Sequence, residues 1–115
     1  MLFRSIGDQV LQEFAARCKN SVRAVDLIGR YGGEEMIILM PETEREIALQ
    51  VAERLRSSIE EAPIQISNGA INLTVSIGVA AKDEYTTDLE TLIARADQAM
   101  YIAKHKGRNR VAMSK

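Results

Sequence analysis

Three observations predict an α+β fold for this chain of 115 residues. Segments with helical periodicity alternate with segments of strand character, two consecutive strands meet at a Gly-Gly turn, and no repeat or linker interrupts the pattern. Strands joined by such a tight turn run antiparallel. A chain of this length has room for one core. We therefore expect residues 1–115 to form a single domain, a mainly antiparallel sheet covered by helices, in the order α-β-β-α-β-α-β.

Composition and charge exclude several classes of protein. The net charge is −1 with 27% charged residues, so no basic field is available to recruit nucleic acid. The chain has no apolar run near the roughly 18 residues that a membrane span requires, and its first six residues are too short for a signal peptide. Cys18 is the only cysteine, which excludes an internal disulfide and suits a reducing cytoplasm. Its place on an apolar helix face predicts a buried, structural thiol.

The first helix and a hairpin come next in the chain. Residues 8–19 have helical spacing of apolar positions, with Asp8 as a plausible N-cap. Residues 23–29 are typical of a strand. Residues 36–40 are wholly apolar and end at Pro41, which predicts a buried strand.

The middle of the chain predicts a helix and a strand. Thr43 and Glu46 have the spacing of a capping box, and an apolar stripe then continues to about residue 60. Asn68-Gly69 is a turn signal. Residues 71–79 alternate strictly between apolar and small or polar residues, which predicts one strand with a single face on the core.

The last helix is predicted to follow a second capping box at Thr87 and Glu90. Gly107 lies where a left-handed residue is expected to end this helix, and residues 111–113 form a short terminal strand. His105 is the only histidine and lies among lysines, so we interpret it as solvated and not catalytic.

The residues at the Gly-Gly turn suggest binding of phosphate and of a metal ion by their chemistry alone. Gly32 and Gly33 permit a positive φ and leave backbone N–H groups open to a phosphate. Glu34 and Glu35 follow directly and, by strand alternation, point to opposite faces. A carboxylate beside such a turn suits a Mg²⁺ ion that bridges protein and phosphate oxygens. The alternative is an ordinary hairpin with two solvated acids.

The segment Arg30-Tyr31-Gly32-Gly33-Glu34-Glu35-Met36 resembles the signature hairpin of the GGDEF family of diguanylate cyclases, in its GGEEF form with Met36 in place of Phe. Further matches run in order across nearly the whole chain. They are Gly7-Asp8-x-x-Leu11, Arg23-x-x-Asp26, Thr74-x-Ser76-x-Gly78-x-Ala80, Ala96-Asp97-x-Ala99-Met100-Tyr101-x-Ala103-Lys104 and Gly107-Arg108-Asn109. The resemblance implies a palm-like fold shared with nucleotidyl cyclases and polymerases.

The resemblance also implies roles at the hairpin. Glu34 matches the family's metal-binding acid and proposed base for the 3′-hydroxyl of GTP, with Mg²⁺ as the cofactor. Glu35 is grouped with Glu34 as catalytic, in a supporting role, with the alternative that it faces away from the site by strand alternation. Gly32 and Gly33 would let the nucleotide phosphates lie against the turn.

Other matched residues imply nucleotide contacts, each with a simpler alternative. Asp8 matches a guanine-binding carboxylate, or is only a helix cap. Lys104 and Arg108 match contacts to the terminal phosphates, or are cations at the negative end of a helix dipole. Arg23 and Asp26 match the product-binding, inhibitory site for cyclic di-GMP, or form a surface ion pair.

The family's domains begin earlier than this chain, with a central strand that carries a metal-binding Asp, followed by a helix. Phe3 and Arg4 also stand where the family has Gly and His. Without the central strand, residues 36–40 and 71–80 would have unpaired edges, which favour pairing with another chain. We therefore expect a truncated domain that forms a homodimer or an edge-paired or swapped oligomer, and that belongs to a longer parent with a regulatory domain. A cloned fragment is an equal alternative.

Three functions remain open at this stage. The first is a domain related to enzymes that condense two GTP into cyclic di-GMP and pyrophosphate, with this chain alone expected to be inactive. The second is a non-catalytic cyclic di-GMP-binding module that uses Arg23 and Asp26. The third is a structural dimerisation fragment that binds no nucleotide.

Overall fold

The chain folds as alternating helices and strands in the residues that the computed structural model describes, which are 8–32, 35–66, 69–84, 86 and 88–114. The helices are α1 (Asp8–Ser21), α2 (Arg45–Glu61) and α3 (Leu89–His105). The strands are β1 (Leu27–Gly32), β2 (Glu35–Leu39), β3 (Ile64–Ile66), β4 (Gly69–Ile71), β5 (Ile77–Val79) and β6 (Val111–Met113). The α+β class is confirmed, and a short β3–β4 hairpin adds to the predicted order.

The strands pair two by two within these residues. β1 pairs with β2 and β3 with β4, both antiparallel, whereas β5 and β6 run parallel. A parallel pair needs a long crossover, which α3 supplies between β5 and β6. Gly69 has a φ of 130°, which suits glycine, where the β3–β4 hairpin returns.

The β5–β6 pair lies between helices. α2 contacts β5 and β6 from one side, and α3 contacts both as well. At Gly78 of β5 the approach of α3 is so close that a Cβ atom would lie 2.0 Å from the carbonyl oxygen of Ala96 and 2.3 Å from the backbone nitrogen of Met100. Only glycine therefore allows α3 to pack this closely on β5.

The main core lies where α1 and α2 meet β3, β5 and the hairpin strand β2. Burial of apolar surface there is the dominant stabilising term. Its most buried large side chains are Phe14, Cys18, Leu55, Ile59, Ile64 and Val75. The prediction that Cys18 is a buried thiol is confirmed. Burial raises the pKa of the Cys18 thiol to about 12, so the thiol stays protonated and unreactive.

Two arginines link α1 and α2, because each donates hydrogen bonds to backbone carbonyl groups at the end of the other helix. Arg17 of α1 donates to the carbonyl oxygens of Ala62 and Pro63, which follow α2, the second at 2.8 Å. Arg54 of α2 donates to the carbonyl oxygen of Ser21 at 2.7 Å. Carbonyl groups at a helix end lack intrahelical partners, so each helix satisfies the end of the other.

The predicted single strand at 71–79 is two shorter strands in the structure. β4 ends at Ile71 and β5 begins at Ile77. The alternation predicts burial only in part: Val75, Ile77 and Val79 are buried and Asn72 and Thr74 are exposed, but Ser76 of the polar face is buried as well. A side-chain pattern reports which face is buried and not whether the backbone has a strand partner.

Both predicted capping boxes are wrong. The N-cap of α2 is Glu44, which makes no side-chain capping bond. The N-cap of α3 is Asp88, whose carboxylate accepts from the backbone N–H of Thr91 at 2.7 Å. Asp is as good a cap as Thr. The capping-box spacing alone therefore could not show which of the neighbouring residues Thr87 and Asp88 caps the helix.

The predicted end of α3 is confirmed. Gly107 has a φ of 119°. The backbone N–H of Arg108 donates to the carbonyl oxygen of Ala103 at 3.1 Å, which is the long-range bond of a Schellman motif. The chain then turns directly into β6.

Candidate functional site

The hairpin of β1 and β2 is the first part of the site. Leu27 pairs with Leu39, Arg30 with Met36 and Gly32 with Glu35. The register shifts between Arg30 and Gly32, so β1 carries one extra residue, Tyr31, as in a β-bulge. The predicted catalytic and phosphate-binding residues Gly33 and Glu34 lie outside the described residues, so their geometry is not tested.

Glu35 lies on the face of β2 away from the core. Met36 is buried in the core, and alternation places Glu35 on the opposite face, together with Ile37 and Leu39. Its side chain is partly exposed. A carboxylate in this position can meet a ligand at the end of the hairpin.

An apolar cleft opens along this outer face. Its volume is about 230 Å³, and its lining includes Leu27, Tyr31, Ile37 and Leu39 of the hairpin together with Ile93 of α3. The strand at 36–40 was predicted to be buried, but only Met36 is, and the other four residues are partly exposed. Ile93 of α3 borders this face, while Leu27 and Tyr31 stay largely exposed on it.

Arg23 and Asp26 form a tight turn before β1, where the sequence had predicted a strand. The backbone N–H of Asp26 donates to the carbonyl oxygen of Arg23 at 3.0 Å. The Asp26 carboxylate accepts from the backbone N–H of Arg23 at 2.8 Å and from its guanidinium Nη2 at 2.9 Å. An Asp side chain that binds its own turn in this way makes an Asx-type turn.

The pair combines a buried acid with an exposed base. The side chain of Asp26 is 0% exposed and that of Arg23 is 51% exposed. The hydrogen bond from the Arg23 guanidinium, aided by the Arg23 backbone N–H, lowers the pKa of the Asp26 carboxyl. The same hydrogen bond raises the pKa of Arg23. Asp26 thus anchors the guanidinium, whose other face is open to solvent.

Arg23 has two further partners that the sequence did not reveal. Its Nη2 donates to the carbonyl oxygen of Pro41 at 2.8 Å and to Oγ1 of Thr43 at 2.6 Å. Thr43 in turn donates to Pro41 at 3.0 Å. The loop between β2 and α2 is therefore tied to the Arg23–Asp26 turn. Thr43 was predicted to cap α2, but its hydroxyl bonds Arg23 and Pro41 instead.

Lys104 and Arg108 lie at the C-terminal end of α3. Lys104 is partly exposed in the last turn, and Arg108 is exposed in the turn that follows. Both alternatives for this pair stay open, since cations here also interact favourably with the helix dipole. His105 is exposed as predicted, with its ring stacked on Tyr101 at 3.9 Å and its Nδ1 2.9 Å from the Tyr101 carbonyl oxygen.

The remaining predicted residues are only partly described. α1 begins at Asp8, but its side chain lies outside the described part, so neither its guanine-binding role nor its capping role is tested. Within the described ranges, no three His, Cys, Asp or Glu side chains cluster closely enough to hold a metal ion. Of the helices in the described part of the chain, none is long and apolar enough to cross a membrane.

Comparison with known proteins identifies the fold. The family model described as "Diguanylate cyclase, GGDEF domain" matches residues 4–110. The chain belongs to this family. The matched segment includes the whole β1–β2 hairpin, with Glu35 on β2. The curated relatives that it matches include proteins named diguanylate cyclase.

A curated relative and two solved structures show the extent of the likeness. Response regulator PleD of Caulobacter vibrioides is 46% identical over 108 residues, which cover 92% of this chain and 24% of PleD. The crystal structure of the GGDEF domain of PA1120 (YfiN or TpbB) from Pseudomonas aeruginosa matches with a TM-score of 0.85 and 34% identity, over 94% of this chain and 68% of that chain. The GGDEF domain of DgcB from Caulobacter crescentus in complex with c-di-GMP matches with a TM-score of 0.82 and 27% identity, over 91% and 63%. The chain spans about a quarter of the length of PleD.

Proposed function

We propose that this chain supplies part of a GTP site in a diguanylate cyclase, namely the part that the β1–β2 hairpin carries. The observation that carries the proposal is the β1–β2 hairpin, whose Gly32–Glu35 pairing leaves Gly33 and Glu34 in a two-residue connection. In the reaction, the 3′-oxygen of one GTP forms a bond to the α-phosphorus of another, and the bond to pyrophosphate breaks. The hydroxyl proton passes to a carboxylate, the role we assign to Glu34. A second round closes the ring of cyclic di-GMP.

Other residues of the chain would bind and orient the nucleotide. Gly32 and Gly33 would offer backbone N–H groups to the phosphates. Lys104 and Arg108 would contact the terminal phosphates, and Asp8 would accept hydrogen bonds from guanine. Phosphoryl transfer depends mainly on such positioning and on charge stabilisation.

A divalent cation, for which we propose Mg²⁺, fits the donors present. Mg²⁺ in nucleotide sites is bound by one or two carboxylates and by substrate phosphates. Glu34 would hold it, and Glu35 is a partly exposed carboxylate next in the chain. When bound, the ion would neutralise charge on the phosphates.

Catalysis would require two such domains face to face, because each holds one GTP. We propose that this chain alone is not competent and that its longer parent carries a regulatory domain, since PleD is about four times as long as the matched segment. Self-association of this chain through its open hairpin face is part of the same proposal.

A second candidate function is the binding of cyclic di-GMP at Arg23. The guanidinium, half exposed and fixed by the buried Asp26, favours it, because an arginine can donate hydrogen bonds to a guanine edge or a phosphate. The bound Pro41 and Thr43 would orient Arg23 further. This binding needs no catalytic competence.

Calorimetric titration with GTP and Mg²⁺, and separately with cyclic di-GMP, tests both functions. We expect E34Q to lose binding of GTP with Mg²⁺ and to keep cyclic di-GMP binding, whereas R23A shows the reverse. E61Q is the matched control for E34Q, since Glu61 is an exposed carboxylate on α2 outside the proposed site, and it is expected to bind both ligands like the wild type. Chromatography of the GTP sample is expected to show no cyclic di-GMP, and product formation would refute the inactivity of the isolated chain. Failure of the wild type to bind either ligand would leave the structural role alone.

A further inference from the structure

The turn between α3 and β6 has an unusual backbone. Gly107, Arg108 and Asn109 have φ values of 119°, 62° and 47°. Glycine adopts positive φ freely and Asn tolerates it, but Arg is disfavoured there. Residues in such conformations persist only where their surroundings hold them, and they concentrate at functional sites. Contacts with the surrounding structure must therefore hold this turn in place.

Two side chains of α2 hold this turn through Asn109. Oδ1 of Asn109 accepts from Nη1 of Arg56 on α2 at 2.8 Å, and Nδ2 of Asn109 donates to the Glu60 carboxylate. These contacts cross 53 and 49 positions of the sequence. Asn109 therefore fixes the turn to α2 directly after the exposed Arg108.

Arg56 is itself held in place. Its Nη2 lies 2.5 Å from Oε1 of Glu53, and its Nη1 lies 3.4 Å from Oε2 of Glu60. The Arg56 side chain is only 15% exposed. A guanidinium held by two carboxylates loses little further freedom when it binds Asn109. Arg56 therefore presents a fixed donor to the turn.

We propose that Arg56 and Asn109 are positioning residues for the phosphate contact of Arg108. By locking the backbone on one side of Arg108, they limit the directions in which its guanidinium can point, which lowers the entropy lost on ligand binding. The proposal rests on the proposed function, in which Lys104 and Arg108 contact the terminal phosphates of GTP. It adds α2, a helix that carries none of the predicted site residues, to the determinants of that contact.

The test is calorimetric titration of the full chain and its variants with GTP and Mg²⁺. We expect R56Q and N109G to weaken GTP binding by about three- to tenfold, the range for one loosened long side chain. N109G is chosen because glycine accepts the positive φ of this position; it removes the side-chain anchor and also gives the backbone more freedom, so R56Q, which leaves Asn109 in place, is the decisive variant. E61Q is the matched control, since Glu61 is an exposed carboxylate at the end of the same helix that accepts a hydrogen bond from Ser57 and has none to Arg56 or Asn109; it is expected to leave GTP binding within twofold.

A double-variant cycle separates positioning from folding. If Arg56 acts through Arg108, R56Q has no further effect on GTP binding once R108A is present, whereas general destabilisation would add to it. Cyclic di-GMP binding at Arg23 is expected to be unchanged in R56Q. Wild-type binding of GTP with an unchanged R56Q overturns this inference alone. Absence of GTP binding by the wild type overturns the proposed function and this inference with it.

Discussion

At the scale of single residues, the Arg23–Asp26 turn shows how a buried acid can fix an exposed base. Asp26 is fully covered, yet it is stabilised as a carboxylate by the Arg23 guanidinium and backbone N–H. The cost of burying a charge is offset only when the group is paired and hydrogen-bonded. The Arg23–Asp26 pair therefore stabilises the turn. Any ligand that binds Arg23 meets a guanidinium that is already oriented.

The lowered pKa of Asp26 predicts a specific pH dependence. A carboxyl whose pKa is lower in the folded state adds stability above its unfolded pKa of about 3.9, and this stability is lost as the pH falls through the folded pKa. We expect D26N to lower the melting temperature by a few degrees at pH 6. Below about pH 4 the difference from wild type should shrink, because protonated Asp26 also lacks the charge.

Thermal unfolding of both proteins between pH 6 and pH 2.5 measures this difference. Glu53 and Asp88 also have lowered pKa values, so the wild-type curve alone does not isolate Asp26. The subtraction of the two curves does. A difference that stays constant across the whole range would contradict the assigned role of Asp26.

At the scale of elements, the two longest helices begin differently. Asp88 accepts a backbone hydrogen bond at the start of α3, whereas Glu44 makes no side-chain cap at the start of α2. We expect D88A to lower the melting temperature by a few degrees, because the Thr91 N–H loses its partner. E44A is the matched control and is expected to melt like the wild type. Thermal unfolding monitored by circular dichroism measures both melting temperatures. An equal decrease in D88A and E44A would show that the Asp88 cap contributes nothing.

The packing of α3 on β5 depends on the absence of a side chain at Gly78. We expect G78A to destabilise the domain by about 1–3 kcal/mol or more, because the new methyl group would collide with backbone atoms that cannot rotate away. Chemical denaturation measures the change. G29A is the control, since a Cβ atom at Gly29 meets nothing within 4 Å, and its effect is expected to stay within about 0.5 kcal/mol. A G78A protein as stable as G29A would mean that α3 packs differently.

The sequence predicted the helices and the hairpin because their signals are local. Apolar spacing over a few turns was enough for α2 and α3, and two glycines were enough for the turn. Pairing of β5 with β6 was not visible, because it depends on a partner more than 30 positions away. The same holds for the contact of Arg23 with Thr43 and that of Arg56 with Asn109, which no local pattern encodes.

In the candidate site, too, local motifs predicted some residues and distant segments supply the others. Motif matching identified Arg23 and Asp26, and the structure brings them together. Thr43 bonds Arg23 and Arg56 bonds Asn109, and both partners come from distant segments that no local sequence pattern links. The arrangement of Glu34 and Asp8 about a nucleotide stays a prediction.

At the scale of the whole molecule, the hairpin presents an open apolar face. Leu27 is 62% exposed and Tyr31 is 57% exposed, beside the cleft that Ile37 and Leu39 line. Within the described residues, β2 pairs only with β1 and β5 only with β6. Strands with a free edge and an uncovered apolar face favour association with another chain.

We therefore expect the wild-type chain to self-associate at micromolar concentration, with a sedimentation coefficient that rises with concentration. The double variant L27E/Y31E is expected to weaken association by at least about tenfold, because burying two carboxylates in an apolar contact costs more than one factor of ten. I47E is the matched control: Ile47 is also exposed, at 47%, but lies on α2, which carries none of the residues that line the cleft. If association survives in L27E/Y31E and is lost in I47E, the contact lies on α2. A wild-type chain that sediments as a monomer throughout would show that the open face of the hairpin does not bind a second copy.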